Sequence, residues 1–316
     1  MTALKTKKNL VVACLAALFV APSLSFAALD SSKLVGPGKC TDCHKSEASA
    51  WQEMKHYKTF DDLHRRPAAK EIAAKLEIVN IKTESTCMQC HYTVNDTGRA
   101  VAGVSCESCH GAAADWITLH NEKGRRADAV AQGFISPSNI YQLAVNCYSC
   151  HTVPNEKLVN VGGHQAGSAI ELVSWVQGEV RHHFKAGTTN ADATPERKRM
   201  LYLVGRVVDL EYSLRGVANA TEKATYAVTM ARRAKAARAE IQKIIDVLPR
   251  DEIKAVAAAV DGVGLKLNNK EPIMAAVQTI SDLGRKISDT YKGEELAALD
   301  ALIPTVVQGT PYGAAQ

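Results

Sequence analysis

Four copies of one short pattern, Cys-x-x-Cys-His, constrain this 316-residue chain more than any other feature. They are Cys40-Thr-Asp-Cys43-His44, Cys87-Met-Gln-Cys90-His91, Cys106-Glu-Ser-Cys109-His110 and Cys147-Tyr-Ser-Cys150-His151. Together they use eight of the nine cysteines, the ninth being Cys14 near the N-terminus. Two thiols one short turn apart can add to the two vinyl groups of a single porphyrin, and a histidine directly after the second can bind its iron from the proximal side. Zinc would draw four cysteines to one ion and would not require a histidine at the same offset four times. A disulfide framework suits an exported chain but has no reason to end each pair in histidine. A thioredoxin-like redox pair needs a βαβ context, which the sequence lacks. The expectation is four covalently attached c-type haems, with His44, His91, His110 and His151 as proximal iron ligands.

The N-terminus points to export. Lys5, Lys7 and Lys8 precede an apolar run from Leu10 to Val20, and Ser25-Phe26-Ala27 has small residues where a signal peptidase reads. Residues 1–27 are therefore predicted to be a cleaved signal peptide and the mature protein periplasmic. Val11-Val12-Ala13-Cys14 loosely resembles a lipobox, but it leaves too few apolar residues ahead of the cysteine. No later stretch is apolar enough to predict a membrane span. Cleavage also changes the charge. The formal +5 of the whole chain falls to +2, with 35 basic against 33 acidic side chains. Most of the apparent basicity is thus targeting, and it gives no reason to expect a nucleic-acid partner.

Six histidines lie outside the motifs: His56, His64, His120, His164, His182 and His183. Four irons can take up to four distal ligands. Methionine is the competitor, but Met88 lies inside a motif and cannot easily reach over its own ring. Histidine is thus the expected sixth ligand, and bis-histidine haems have lower potentials than His/Met haems. An iron without a sixth ligand would leave an open face for chemistry. His64 falls on the helical face of His56 and reads as a polar neighbour or plain surface. Arg65 and Arg66 could pair with haem propionates or form a solvated cluster.

The run Lys39-Cys-Thr-Asp-Cys-His-Lys-Ser-Glu-Ala-Ser-Ala-Trp51, with His56 after it, resembles the first haem segment of the tetrahaem cytochrome c-554 family. Gly103-Val-Ser-Cys-Glu-Ser-Cys-His-Gly111, with His120 after it, resembles the third. The likeness extends over roughly residues 39–184. It implies a small tetrahaem electron carrier with haems stacked in close pairs, as exemplified by a carrier that accepts electrons from hydroxylamine oxidoreductase. It also implies distal ligands: His120 opposite His44, a histidine of the segment 171–184 opposite His110, and His56 opposite His151. His182 is preferred to His183 in that segment. The second haem is where the sequence departs. In the family it resembles a five-coordinate site covered by a loop after the fourth motif. Here that loop, Asn160-Val-Gly-Gly-His164, carries a histidine, so His164 is expected to close the second haem, on His91, and make all four bis-histidine.

The predicted fold class is all-α. Residues 28–190 are expected to form a tetrahaem domain with little regular structure beyond helices, at 46–58, 67–76, 113–121 and 168–183. Gly187 to Pro195 reads as a linker. From Glu196 onward cysteine and histidine vanish and alanine becomes frequent. Met200, Leu203, Val204, Val207, Leu210, Leu214 and Val217 recur at helical spacing. Further helices are predicted at 221–248, ending at Pro249, at 251–260, from about Pro272, and briefly at 294–303. This predicts an antiparallel bundle over 196–303, followed by a flexible tail over 304–316. The bundle lies beyond the family resemblance. Its plain reading is a cover for the haem domain. Its sharper reading is a docking or homodimer module, with Arg232 to Arg238 facing an acidic partner.

The function expected from these features is electron transfer between redox partner proteins, with no catalytic residues of the chain's own. Two other classes compete. One is a reductase of a small nitrogen or sulfur oxide at an open haem. The other is a redox sensor or a subunit of a larger electron-transfer complex.

Overall fold

The computed structural model describes residues 29–83, 85–185 and 189–313. The predicted signal peptide and Cys14 lie outside the described residues. Helices dominate, and the strands form two short antiparallel hairpins, as the all-α reading expects.

The N-terminal half is a string of short helices. They are α1 (Pro37–Thr41), α2 (Lys45–Glu53), α3 (Lys55–Asp62), α4 (Pro67–Lys75), α5 (Ser85–His91), α6 (Cys106–His110), α7 (Arg126–Ala131), α8 (Ile140–His151), α9 (Glu156–Asn160) and α10 (Leu172–Val176). A single helix is expected over 46–58, but Met54 is extended (φ −71°, ψ 152°) and divides it into α2 and α3. Over 113–121 the chain makes turns and one 3-10 turn, Leu119–Asn121. The hairpin β1 (Thr93–Val94) and β2 (Ala100–Ala102) separates the second motif from the third. The peptide core of this half is thin. One small cluster joins Ala73, Ile81, Met88 and Tyr92, and another joins Ala113, Trp116 and Ala129.

The helix expected over 168–183 is largely absent. α10 stops at Val176, and the chain continues without helix to a second hairpin, β3 (Phe184–Lys185) and β4 (Thr189–Asn190). The cause is tertiary. The chain near Gln308 crosses at this point, so close that a Cβ on Gly178 would sit 2.1 Å from the Gln308 carbonyl oxygen. The Glu179 N–H donates to that oxygen (2.7 Å) and not to an upstream helical carbonyl.

The C-terminal half is built around α11 (Pro195–Asn219), with α12 (Thr225–Val247), α13 (Asp251–Ala258) and α14 (Lys270–Thr290) packed about it. Thr194 caps α11 through its hydroxyl, and Pro195 occupies the first turn. Leu203, Val204, Val207 and Val208 are fully buried, as are Ile241 and Ile244 of α12 and Ile273, Ile280 and Ile287 of α14. Each such side chain contributes about 1.5–3 kcal/mol. α11 is buried nearly all round, which places it at the centre of the bundle. A 3-10 stretch, Glu294–Leu302, closes the sequence of helices.

The bundle core does not stop at α11. It takes in Ile140, Tyr141, Ala144, Val145 and Tyr148 of α8, the helix that carries the fourth motif. The Tyr141 hydroxyl donates to Glu211 Oε2 (2.7 Å) and contacts Ser281 Oγ (2.8 Å), joining α8, α11 and α14 in a buried polar knot. Arg215 satisfies the other Glu211 oxygen. Residues 304–313 also return to the N-terminal half, where Gln308 N donates to Ser174 O (2.9 Å) and Asn190 Nδ2 to Tyr312 O (2.8 Å).

Candidate haem-binding site

Each motif ends a helix. α5, α6 and α8 finish at His91, His110 and His151, and α1 turns out of helix just before His44. The two cysteines of each motif stand three residues apart, which on a helical turn puts both thiols on one face. The histidine then follows at the point where the chain leaves the helix.

The four motifs abut. The Cys40 and Cys106 thiols hydrogen-bond to each other, as do Cys90 and Cys150, so the first motif meets the third and the second meets the fourth. Asn146 Nδ2 donates to Cys109 O (2.7 Å) and joins the third to the fourth. Burial pushes the Cys109 thiol up to about 11 and raises Cys147 further. The hydrogen bond from Cys90 lowers Cys150 to about 7, against the effect of its burial. Among the described residues no group of three or more His, Cys, Asp and Glu side chains is arranged to hold a bare metal ion.

Each motif histidine faces a second imidazole from elsewhere in the chain. His44 faces His120 with ring centroids 6.1 Å apart, and His151 faces His56 at 6.1 Å. His110 faces His182 at 6.3 Å, and His91 faces His164 at 6.4 Å. An iron bound by two imidazole nitrogens at about 2 Å each would hold the ring centroids roughly 6 Å apart. The spacing fits the group that the motifs imply. A direct imidazole stack would be closer, so these rings are set apart by about the width of a ligated ion.

In five of these eight rings Nδ1 is hydrogen-bonded. His110 Nδ1 donates to Ile135 O (3.0 Å), His120 Nδ1 to Ile117 O (2.6 Å), His164 Nδ1 to Gln165 O (2.8 Å) and His182 Nδ1 to Val180 O (2.8 Å). A carbonyl oxygen can only accept, so the proton of each neutral ring sits on Nδ1 and the Nε2 lone pair is free for a metal. His151 Nδ1 lies 3.0 Å from Ser168 Oγ, whose own proton points to His151 O, and the same tautomer follows. Burial lowers His91 and His151 to about 4, reinforced by neighbouring imidazoles. Burial also lowers His110 and His56. These rings are neutral, the state a metal ligand requires.

The surroundings hold the constellation in place. The buried Glu107 carboxylate accepts from Val35 N, Gly36 N and Ala113 N at 2.9–3.0 Å, which fastens the approach to the first motif onto the third. Val104 N donates to His56 O (3.0 Å), and the Thr59 hydroxyl lies 2.8 Å from both His56 O and His91 O. Gly103 is required here, because a Cβ would lie 2.3 Å from His56 O. From the bundle, Arg233 donates to Ser168 O (2.7 Å) and pairs with Asp209 (2.6 Å). The basic stretch 232–238 is thus not a uniform outer face. Arg233 turns inward and Arg238 pairs with Asp261. Sequence reasoning does not find Glu107 or Ser168, and it places Arg233 in an outward basic stretch, since the partners of each lie elsewhere in the chain. His64, Arg65 and Arg66 lie at the end of α3, and Arg66 pairs with Asp62 (4.0 Å).

Paired thiols, a following histidine and an opposed imidazole define the class as multihaem c-type cytochrome. Residues 39–111 match the family model described as cytochrome c554 and c-prime, and residues 79–161 match the cytochrome c3 model. Cytochrome c-554 of Nitrosomonas europaea is 32% identical over 133 residues, which cover 37% of this chain and 55% of that protein. The haem-motif region is therefore similar to the c-554-like multihaem cytochromes. The chain spans about half the length of this curated relative. No solved structure matches the chain.

Proposed function

We propose that the protein is an exported, periplasmic electron carrier that passes electrons between redox partner proteins through four covalently attached haems. The cysteines Cys40, Cys43, Cys87, Cys90, Cys106, Cys109, Cys147 and Cys150 would form the thioethers. His44, His91, His110 and His151 would bind the irons from one side, and His120, His164, His182 and His56 from the other. Haem c, when bound, supplies a one-electron couple.

The observation that carries this reading is that every motif histidine is met by a second imidazole at 6.1–6.4 Å. Closed irons keep small substrates off the metal and favour electron transfer over reduction chemistry. Abutting motifs keep successive cofactors close. Among the described residues no helix is long and apolar enough to cross a membrane. The division of labour we infer is a haem domain over residues 28–190 and a bundle over 196–303 that covers and braces it. The packing of α8 into the bundle core supports that bracing role.

The test is a haem count with a carbon monoxide titration of the ferrous holoprotein. The pyridine haemochrome should give four haems per chain, and carbon monoxide should leave the spectrum unchanged. Stoichiometric binding at one haem would overturn the fully closed arrangement and favour an enzyme.

A further inference from the structure

The four distal histidines are not held alike. His56 lies within α3, and His120 in the 3-10 turn Leu119–Asn121. His164 follows α9 and donates its N–H back to Leu158 O (3.1 Å), so the helix end holds it. His182 has no such support. It is exposed, beyond the end of α10 and before β3, where helix and hairpin ladder both stop. Its ring nevertheless stands opposite His110 at 6.3 Å.

Besides its own bond to Val180 O and the backbone bond from Ala191 N to His183 O (2.8 Å), one side chain of β4 bridges the residues on either side of it. Asn190 is 5% exposed. Its Oδ1 accepts from His183 N (3.0 Å), and its Nδ2 donates to Arg181 O (2.8 Å) and to Tyr312 O (2.8 Å). The amide can be oriented only one way, because carbonyl oxygens only accept and the backbone N–H only donates. Asn190 thus grips the residues on both sides of His182. Its remaining bond anchors it to the C-terminal segment. That segment supports the same loop twice more, through Gln308 O to Glu179 N (2.7 Å) and through Tyr312, whose ring lies 6.5 Å from Phe184. Residues 304–313 are bonded to the stretch 174–190, which presents His182.

We propose that Asn190 and the C-terminal segment together form a clamp that positions His182 over the iron of the third motif. This rests on the bis-histidine reading of that site. The Asn190 side-chain bonds go to His183 N, Arg181 O and Tyr312 O, not to the His182 ring. Asn190 acts through the backbone of residues 181 and 183, and is a positioning residue. Without it, residues 181 and 183 lose the side-chain bridge between them and keep only Arg181 N to Gly178 O and Ala191 N to His183 O, while His110 and the Cys106–Cys109 attachment are untouched. One haem of four should open and the others should stay closed.

The test uses haem-replete holoprotein of four variants: H182A, N190A, the double variant, and a truncation after Ile303. Haem content is checked by pyridine haemochrome, and open irons are counted by ferrous carbon monoxide binding and by the ferric high-spin resonance. Binding should rise from none to one haem per chain in H182A, N190A and the truncation. The double variant should bind no more than either single variant, since both act at one iron. Added imidazole should return ferric N190A to the low-spin state, a rescue that general unfolding would not show. If H182A stays closed, His182 is not the ligand and the underlying reading fails. If H182A opens one haem but N190A and the truncation both stay closed, the ligand reading stands and the clamp is overturned. An opening in N190A that adds to that of H182A would also overturn it.

Discussion

The imidazole of His164, on the loop after α9, faces the imidazole of His91 with ring centroids 6.4 Å apart. It is held there by His164 Nδ1 donating to Gln165 O and by its own N–H closing the end of α9. This relationship separates a carrier with four closed irons from one with a vacant face. Replacing His164 by alanine should convert a protein that binds no carbon monoxide into one that binds it at a single haem. The change is read in the ferrous difference spectrum. If H164A and the wild type behave alike, His164 is not a ligand.

Glu107 sits inside the third motif with its carboxylate buried against three backbone N–H groups. Glu107→Ala would leave the fully buried Ala113 N–H without an acceptor and take the Val35 and Gly36 N–H groups off their carboxylate. Leaving one buried donor unsatisfied costs about 1–3 kcal/mol, and the loss should be of that size. Thermal unfolding of the holoprotein measures it. A change within experimental error would show that water replaces the carboxylate.

Gly284 of α14 lies against the ring of Tyr141 on α8, and a Cβ there would come within 2.7 Å of Tyr141 Cε2. Gly284→Val forces the two helices apart and disturbs the Tyr141–Glu211 bond. Overpacking of this kind costs about 1–3 kcal/mol. Denaturant unfolding should show that loss. An unchanged midpoint would mean that α8 and α14 are not in close contact in solution.

Arg199 binds both oxygens of Asp300 at 2.7 Å, linking the start of α11 to the last 3-10 stretch. Those hydrogen bonds hold the Asp300 carboxyl below the ordinary aspartate range, against a smaller opposing effect of burial and with help from the Arg199 charge. A depressed pKa in the folded state stabilises above the unfolded value, and the effect is lost as pH falls through the folded value. Thermal midpoints of the wild type should therefore decline more steeply on acidification below the ordinary aspartate range than those of Asp300→Asn. Parallel curves for the two proteins would show that the pair does not contribute.

The attachment pattern was legible in the sequence because its chemistry is local. Two thiols and a histidine within five residues need only one helical turn to be arranged, and no distant contact changes what they can do. The helices from Pro195 onward were legible for a similar reason, since their apolar spacing is a property of the segment. The region over 168–183 marks the limit. Its composition favours helix, but the chain near Gln308 crosses at Gly178 and takes the Glu179 N–H for itself, so the segment that carries His182 is not helical. Nothing local signals that crossing. The same holds for the return of residues 304–313, for Asn190 bridging residues 181, 183 and 312, and for α8 joining the bundle core. The sequence by itself determined where haem chemistry could be attached. The resemblance already implied which imidazole meets which, but only the tertiary structure decided what holds them in place, because that depends on hydrogen bonds between segments more than a hundred residues apart, such as Asn190 with Tyr312 O.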